Sequence, residues 1–312
     1  MSGGEMTIEP RLVWPVGALL GEGPAWIAER EALYFVDIKG GRLHRFTPRT
    51  GAKETLELGG MPSFVVPSGD ARLVVGSGNR ILLVEHDGSI VGVLGEVPMP
   101  ARNRINDATV DALGRLWFGT MDEAERQATG ALYCLDGGAP HRMGGEAIVT
   151  NGPAVTADGS ALYHVDSVNR TIWRFTISEG PSISQVEQFL KFGEADGYPD
   201  GVVLDSEDCL WVALWDGWAV RRYAPDGALL LNITMPCARV TKVAFGGEDL
   251  RTVYVTTACV GLTTSERDAQ PLAGGLFAFD APAPGRPLPA LAAASYAVTE
   301  DRAGQTTRPR WS

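Results

Sequence analysis

Two carboxylates and one amide, Glu22, Asp200 and Asn151, stand far apart in the chain but in similar company. Their surroundings read Glu22-Gly23-Pro24-Ala25, Asn151-Gly152-Pro153-Ala154 and Asp200-Gly201-Val202. Together they form an oxygen-only donor set, suited to one hard or borderline divalent cation with positions left open for water and a substrate. Such a cation polarises a bound carbonyl and lowers the pKa of a bound water. Arg104, two residues before Asn106, adds a fixed cation whose forked donors suit several oxygens of a polar substrate. Each residue alone has a plainer reading. Asn-Gly and Asp-Gly are common hairpin turns, and a single glutamate or arginine is usually solvated. A shared register favours the chemical reading, because turns need no glutamate, arginine or lysine at one repeat position.

That register comes from a repeat of short apolar strands. Anchored on Leu33, Leu73, Leu116, Leu162, Leu210 and Val253, six copies follow one another at steps of roughly 40–48 residues, a blade-sized period. Each opens at a turn with Asp or Gly and most carry an aromatic, as in Leu116-Trp117-Phe118 and Leu210-Trp211-Val212. A second strand type follows each copy, for example Thr171-Ile172-Trp173-Arg174-Phe175, with apolar and polar residues alternating. Six such units predict an all-β, six-bladed β-propeller. About ten residues before the anchors lie Glu22, Ser63, Asn106, Asn151, Asp200 and Lys242, at the start of the innermost strand of each blade. Polar groups distant in sequence would then meet in the central channel.

The ring is expected to be one domain over residues 1–312, with a core at about 11–282. Arg11-Leu12-Val13-Trp14 is the predicted strand that seals the last blade, and 283–312 form an extension ending in a loose tail.

Composition agrees with this architecture and excludes others. The 312 residues include 38 glycines and 20 prolines, spread along the chain, which rules out long helices. A net charge of -11 without a basic cluster excludes a nucleic-acid partner. No apolar run is long enough for a membrane helix, and residues 1–10 lack the basic start and apolar run of a secretory signal. Cys134, Cys209, Cys237 and Cys259 are widely spaced, without a CxxC pair. They read as small buried hydrophobes in a reducing cytoplasm.

Other catalytic patterns are weak. His44, His86, His141 and His164 stand alone, with no HxH or HExxH spacing. There is no GxSxG elbow and no phosphate-binding glycine loop. Asp37, Asp111 and Asp166 recur near strand ends, where turn or inter-blade hydrogen bonding is the expected role. Most tryptophans fall on core strands, whereas Trp215 and Trp218 could line a substrate mouth.

At these residues the chain resembles the SMP-30/gluconolactonase/regucalcin family of sugar lactonases, from about Leu19 to Phe279. The resemblance rests on ordered motifs. They include Gly21-Glu22-Gly23-Pro24, Arg104-Ile105-Asn106-Asp107, Gly119-Thr120-Met121, Asn151-Gly152, Tyr198-Pro199-Asp200-Gly201 and Phe245-Gly246-Gly247. It implies one catalytic divalent metal, Ca, Zn, Mn, Mg or Fe(II), held by Glu22, Asn151 and Asp200. Arg104 and Asn106 would contact substrate, and Asp200 would also be the general base or orient the attacking water. A family glutamate that contacts substrate maps to Asp122 or Glu123. The implied reaction is hydrolysis of an aldonolactone such as gluconolactone, xylonolactone or arabinonolactone, by a monomer or small homo-oligomer. Hydrolysis of non-sugar lactones or organophosphates, and a non-catalytic calcium-binding propeller, are the alternatives.

Overall fold

Strands of four to ten residues, separated by turns, build almost all of the computed structural model, which describes residues 8–178, 180–292 and 311. Among the described residues there are six four-stranded antiparallel sheets. Blades 1 to 5 each use four consecutive strands, and their inner strands are Gly21–Ile27, Pro62–Pro67, Asn103–Val110, Thr150–Val155 and Tyr198–Leu204. Blade 6 starts at Val240–Gly246 and takes its outermost strand from the other end of the chain. Arg11–Trp14 pairs with Leu276–Asp280, setting Leu12 opposite Phe277. This is the predicted seam. Each inner strand packs beside the next, and Val240–Gly246 packs beside Gly21–Ile27, so the ring closes.

Burial explains why the strand types differ in sequence. Inner strands are covered on both faces and read as near-continuous apolar or small residues, whereas the outermost strand Ser182–Lys191 is largely exposed and polar. The core lies between blades. Phe64, Val74 and Ile81 of blade 2 pack on Ile105, Leu116 and Phe118 of blade 3. Trp211 and Val220 of blade 5 pack likewise on Val243, Val253 and Phe277 of blade 6. Burying one such side chain is worth about 1.5–3 kcal/mol, and no blade can cover its faces alone.

The recurrent aspartates fasten turns to strands, as expected. Asp111 accepts from the Leu113 and Arg115 amides and from the Trp117 indole, 2.8 Å away. Asp205 does the same for Cys209 and Trp211 in blade 5. Trp117 and Trp211 are fully buried.

The C-terminal extension departs from a loose tail at its start. Residues 283–292 run across the end of the channel. Gly285 donates to Leu250, Leu291 donates to Pro67, and Ala292 donates to Gly114. Leu291 is fully buried, so apolar contact holds a segment that carries no repeat signal. Trp311 donates to the His86 carbonyl at 2.5 Å and lies under the Arg45 guanidinium. The rest of that expected tail lies outside the described residues. No helix among the described residues is long and apolar enough to cross a membrane.

Candidate active site

Every inner strand carries an irregularity at one place. The pairing shifts between Glu22 and Ala25, Pro62 and Phe64, Ile105 and Ala108, Asn151 and Ala154, Pro199 and Val202, and Val240 and Lys242. Bulges bend a strand and re-aim its side chains. Asn151-Gly152 and Asp200-Gly201 therefore lie within strands, and the hairpin-turn reading fails. Their glycines serve two needs. Gly152 has φ +66°, whereas a Cβ on Gly201 would sit 2.4 Å from Lys242 Cγ.

Strand pairing also fixes the register. Ala25, Val66, Thr109, Ala154, Val203 and Ala244 lie opposite equivalent residues of the neighbouring strand, Tyr34, Val74, Trp117, Tyr163, Trp211 and Tyr254. Three residues before them stand Glu22, Ser63, Asn106, Asn151, Asp200 and Thr241. The sixth equivalent is thus Thr241 rather than Lys242, because the turn joining the first two strands is longest in blade 6: Ala244 and its partner Tyr254 are ten positions apart, against eight or nine for the equivalent pairs. Thr241 is turned away, donating its hydroxyl to the Gly21 carbonyl at 2.6 Å. Lys242 is instead equivalent to Asp107, three blades away around the six-membered ring.

A cavity of about 560 Å³ occupies one mouth of the channel, lined among others by Glu22, Arg104, Asn106, Asn151 and Asp200. All five are buried. Arg104 is fixed on two sides, by Glu123 Oε2 at 2.5 Å from Nε and by Asn106 Oδ1 at 2.5 Å from Nη1. Asn106 donates in turn to Asn151 Oδ1 and the Thr150 carbonyl, both at 2.8 Å. Asn151 donates to Ser167 Oγ at 3.0 Å. One chain of hydrogen bonds thus orients three of the five.

The carboxylates are electrostatically loaded. Burial pushes Glu22 up to about 8, and the nearby Asp107 charge adds to this against the Gly23 amide and Lys242. Asp200 is held well above the usual carboxylate range by burial, then by Glu22 and Asp107. Asp200 Oδ1 is buried without a hydrogen-bond partner. A divalent cation fits these residues, because it would satisfy that orphaned oxygen and offset the repulsion between Glu22 and Asp200. Among the described residues no three of His, Cys, Asp or Glu group as metal ligands. The donor set available here is two carboxylates and an amide.

The sequence does not decide whether Asp122 or Glu123 is the acid that contacts substrate. Asp122 is fully buried and accepts from the Ala124, Arg126 and Gln127 amides. Glu123 lines the cavity and binds both Arg104 and Lys39. Burial opposes its charge, but those two cations hold its carboxyl below the usual value. Trp215 reaches the mouth of the cavity, whereas Trp218 is 42% exposed and not among its lining residues.

The sequence pattern of the SMP-30/gluconolactonase/LRE-like region matches residues 20–259, covering all the inner strands that bear the site. The chain belongs to this family. Among SMP-30/gluconolactonase relatives, a 6-deoxy-6-sulfogluconolactonase of Pseudomonas putida is 36% identical over 88% of this chain and 96% of its own. A pentonolactonase of Haloferax volcanii is 34% identical over 86% of this chain and 93% of its own. The solved structure of the calcium-binding protein regucalcin from Agrobacterium tumefaciens superposes with a TM-score of 0.87 at 26% identity. That match covers 91% of this chain and 98% of the other.

Proposed function

We propose that this propeller hydrolyses a sugar-acid lactone to the open-chain acid, using a divalent cation held by Glu22, Asn151 and Asp200. It is a lactone-hydrolysing enzyme of the gluconolactonase kind, like relatives that act on gluconolactone and pentonolactone derivatives. The observation that carries the reading is the buried, unpartnered Asp200 Oδ1 beside Glu22, in a cavity shared with Arg104 and Asn106.

When bound, the cation supplies positive charge for the lactone carbonyl and acidifies a water. The protein's own residues do the rest. Arg104, locked by Glu123 and Asn106, offers its remaining guanidinium donors to the sugar hydroxyls. Asn106 contributes a second polar contact, so that the carbonyl is held in one orientation. Asp200 takes the proton of the attacking water as the carbon–oxygen bond forms. The ring ester bond then breaks and the ring oxygen leaves as a hydroxyl, recovering a proton.

The site belongs in a reducing compartment, the cytoplasm, where Cys134, Cys209, Cys237 and Cys259 would stay free and buried as they are here. A pH-indicator assay on gluconolactone, xylonolactone and arabinonolactone, beside an aryl ester, tests the substrate class. Hydrolysis of at least one aldonolactone, well above the aryl ester, is the expected result. Turnover of the aryl ester alone would favour the non-sugar alternative, and no turnover would leave a binding protein.

A further inference from the structure

The register that relates the six blades also relates two arginines. Arg104 lies two residues before Asn106, and Arg239 lies two residues before Thr241. They therefore occupy equivalent positions on blades 3 and 6, on opposite sides of the ring, and both line the cavity that holds Glu22 and Asp200. Their circumstances differ. Arg104 is committed to Glu123, Asn106 and the Ile105 carbonyl.

Arg239 is held rigidly but incompletely. Its Nη1 donates to the Val260 carbonyl, and its guanidinium lies over the Trp215 ring, 5.0 Å from the centroid. Its Nε faces Asp216 Oδ1 at 3.2 Å. That carboxylate is 43% exposed, so the pair is weak and exchangeable. Nη2 has no hydrogen-bond partner among the described residues. Gly261, at φ +71°, leaves the space, since a Cβ there would come within 3.0 Å of Nη1. A pre-positioned guanidinium with an open edge suits an oxyanion, which can accept from it in parallel.

We propose that Arg239 is a specificity-determining residue that selects lactones carrying a second, anionic group: a carboxylate, a sulfonate or a phosphate ester. The inference rests on the lactonase reading and names the substrate class of the same cavity. The lactone carbonyl sits at the Asp200 side, and the anionic substituent reaches the mouth and displaces Asp216 from Arg239.

The test compares neutral gluconolactone with 6-phosphogluconolactone and glucarolactone at low and high salt. In the wild-type protein the anionic lactones show a KM at least about tenfold below that of gluconolactone, as one charge-assisted contact would give. Salt near 1 M erodes that preference. Arg239→Gln raises KM for the anionic lactones at least about tenfold more than for the neutral one, with little change in kcat. Arg239→Lys restores part of the preference, which covers the case of a poorly folded Arg239→Gln. An equal effect of Arg239→Gln on neutral and anionic lactones, or no anionic preference in the wild type, overturns the proposal alone. Failure to hydrolyse any of the three overturns the lactonase reading with it.

Discussion

The Lys242 ammonium is hydrogen-bonded to the Asp107 carboxylate, from blade 6 to blade 3. The two residues occupy equivalent positions on opposite sides of the ring, so the pair spans the channel. Its position divides the interior. Residues before it on the inner strands of blades 1, 3, 4 and 5 line the cavity with Glu22 and Asp200, and those after it on all six line a second cavity of about 380 Å³. Residues 286–289 close that second cavity. Lys242 lines the second cavity, behind the site, and it is a cation close enough to favour the charged forms of both Glu22 and Asp200.

Breaking this pair should be costly. Lys242→Met leaves Asp107 buried beside two further carboxylates and is expected to lose about 3–5 kcal/mol in urea unfolding. The double variant Lys242→Met with Asp107→Leu recovers most of that loss. If the single and double variants are equally destabilised, the pair is not what holds this region.

Space for the Lys242 stem comes from Gly201. A Cβ there would meet Lys242 Cγ at 2.4 Å and the Thr241 carbonyl at 2.8 Å. Gly201→Ala should destabilise by about 1–3 kcal/mol through overpacking. Combining it with Lys242→Gly, which removes both the Cβ and the Cγ that the new methyl would meet, should lessen that cost in the same unfolding measurement, whereas a simple turn glycine would show no such coupling.

Glu22 gives the cation-free protein a pH dependence of definite sign. Its pKa rises from an ordinary 4.5 to about 8 on folding, so the folded state holds that proton more tightly. The resulting stability is fully present below about 4.5 and is lost as pH rises through about 8. Chelated wild-type protein should therefore melt several degrees lower at pH 9 than at pH 6. Chelated Glu22→Gln should lose less over that interval, and added divalent cation should remove the wild-type loss. A chelated Glu22→Gln that melts below wild type at pH 9 would contradict this assignment.

Glu123 and Asp122, adjacent in sequence, should fail differently. Glu123→Ala frees Arg104 and Lys39 and is expected to raise the lactone KM about ten- to hundredfold, an effect of lost positioning. Asp122→Ala removes acceptors from three backbone amides and should lower the melting temperature first. Steady-state kinetics beside thermal melts separates the two.

The sequence was most informative where one rule repeats. Leu33, Leu73, Leu116, Leu162, Leu210 and Val253 mark equivalent strands, and that periodicity made the six blades and the seam at Arg11–Trp14 legible. Glu22, Asn106, Asn151 and Asp200 could be aligned by counting back from these anchors. Counting failed at Lys242 because the turn between the first two strands is longest in blade 6, which moves the register to Thr241. Asp107 and Arg239 escaped for another reason. Their roles come from partners across the ring or on the next blade, and strand periodicity carries no trace of contacts of that range. The packing of residues 283–292 was hidden similarly, since a lone Leu291 in an alanine- and proline-rich stretch shows no period.

The central claim is that Glu22, Asn151 and Asp200 hold a cation with which Asp200 opens a lactone. The most direct measurement is gluconolactone hydrolysis by wild-type protein and by Asp200→Ala, after chelation and after cation is returned. The account predicts that chelation abolishes wild-type turnover, that returned cation restores it, and that Asp200→Ala stays inactive throughout while remaining folded. Full turnover by chelated wild-type protein, or by Asp200→Ala, would contradict it.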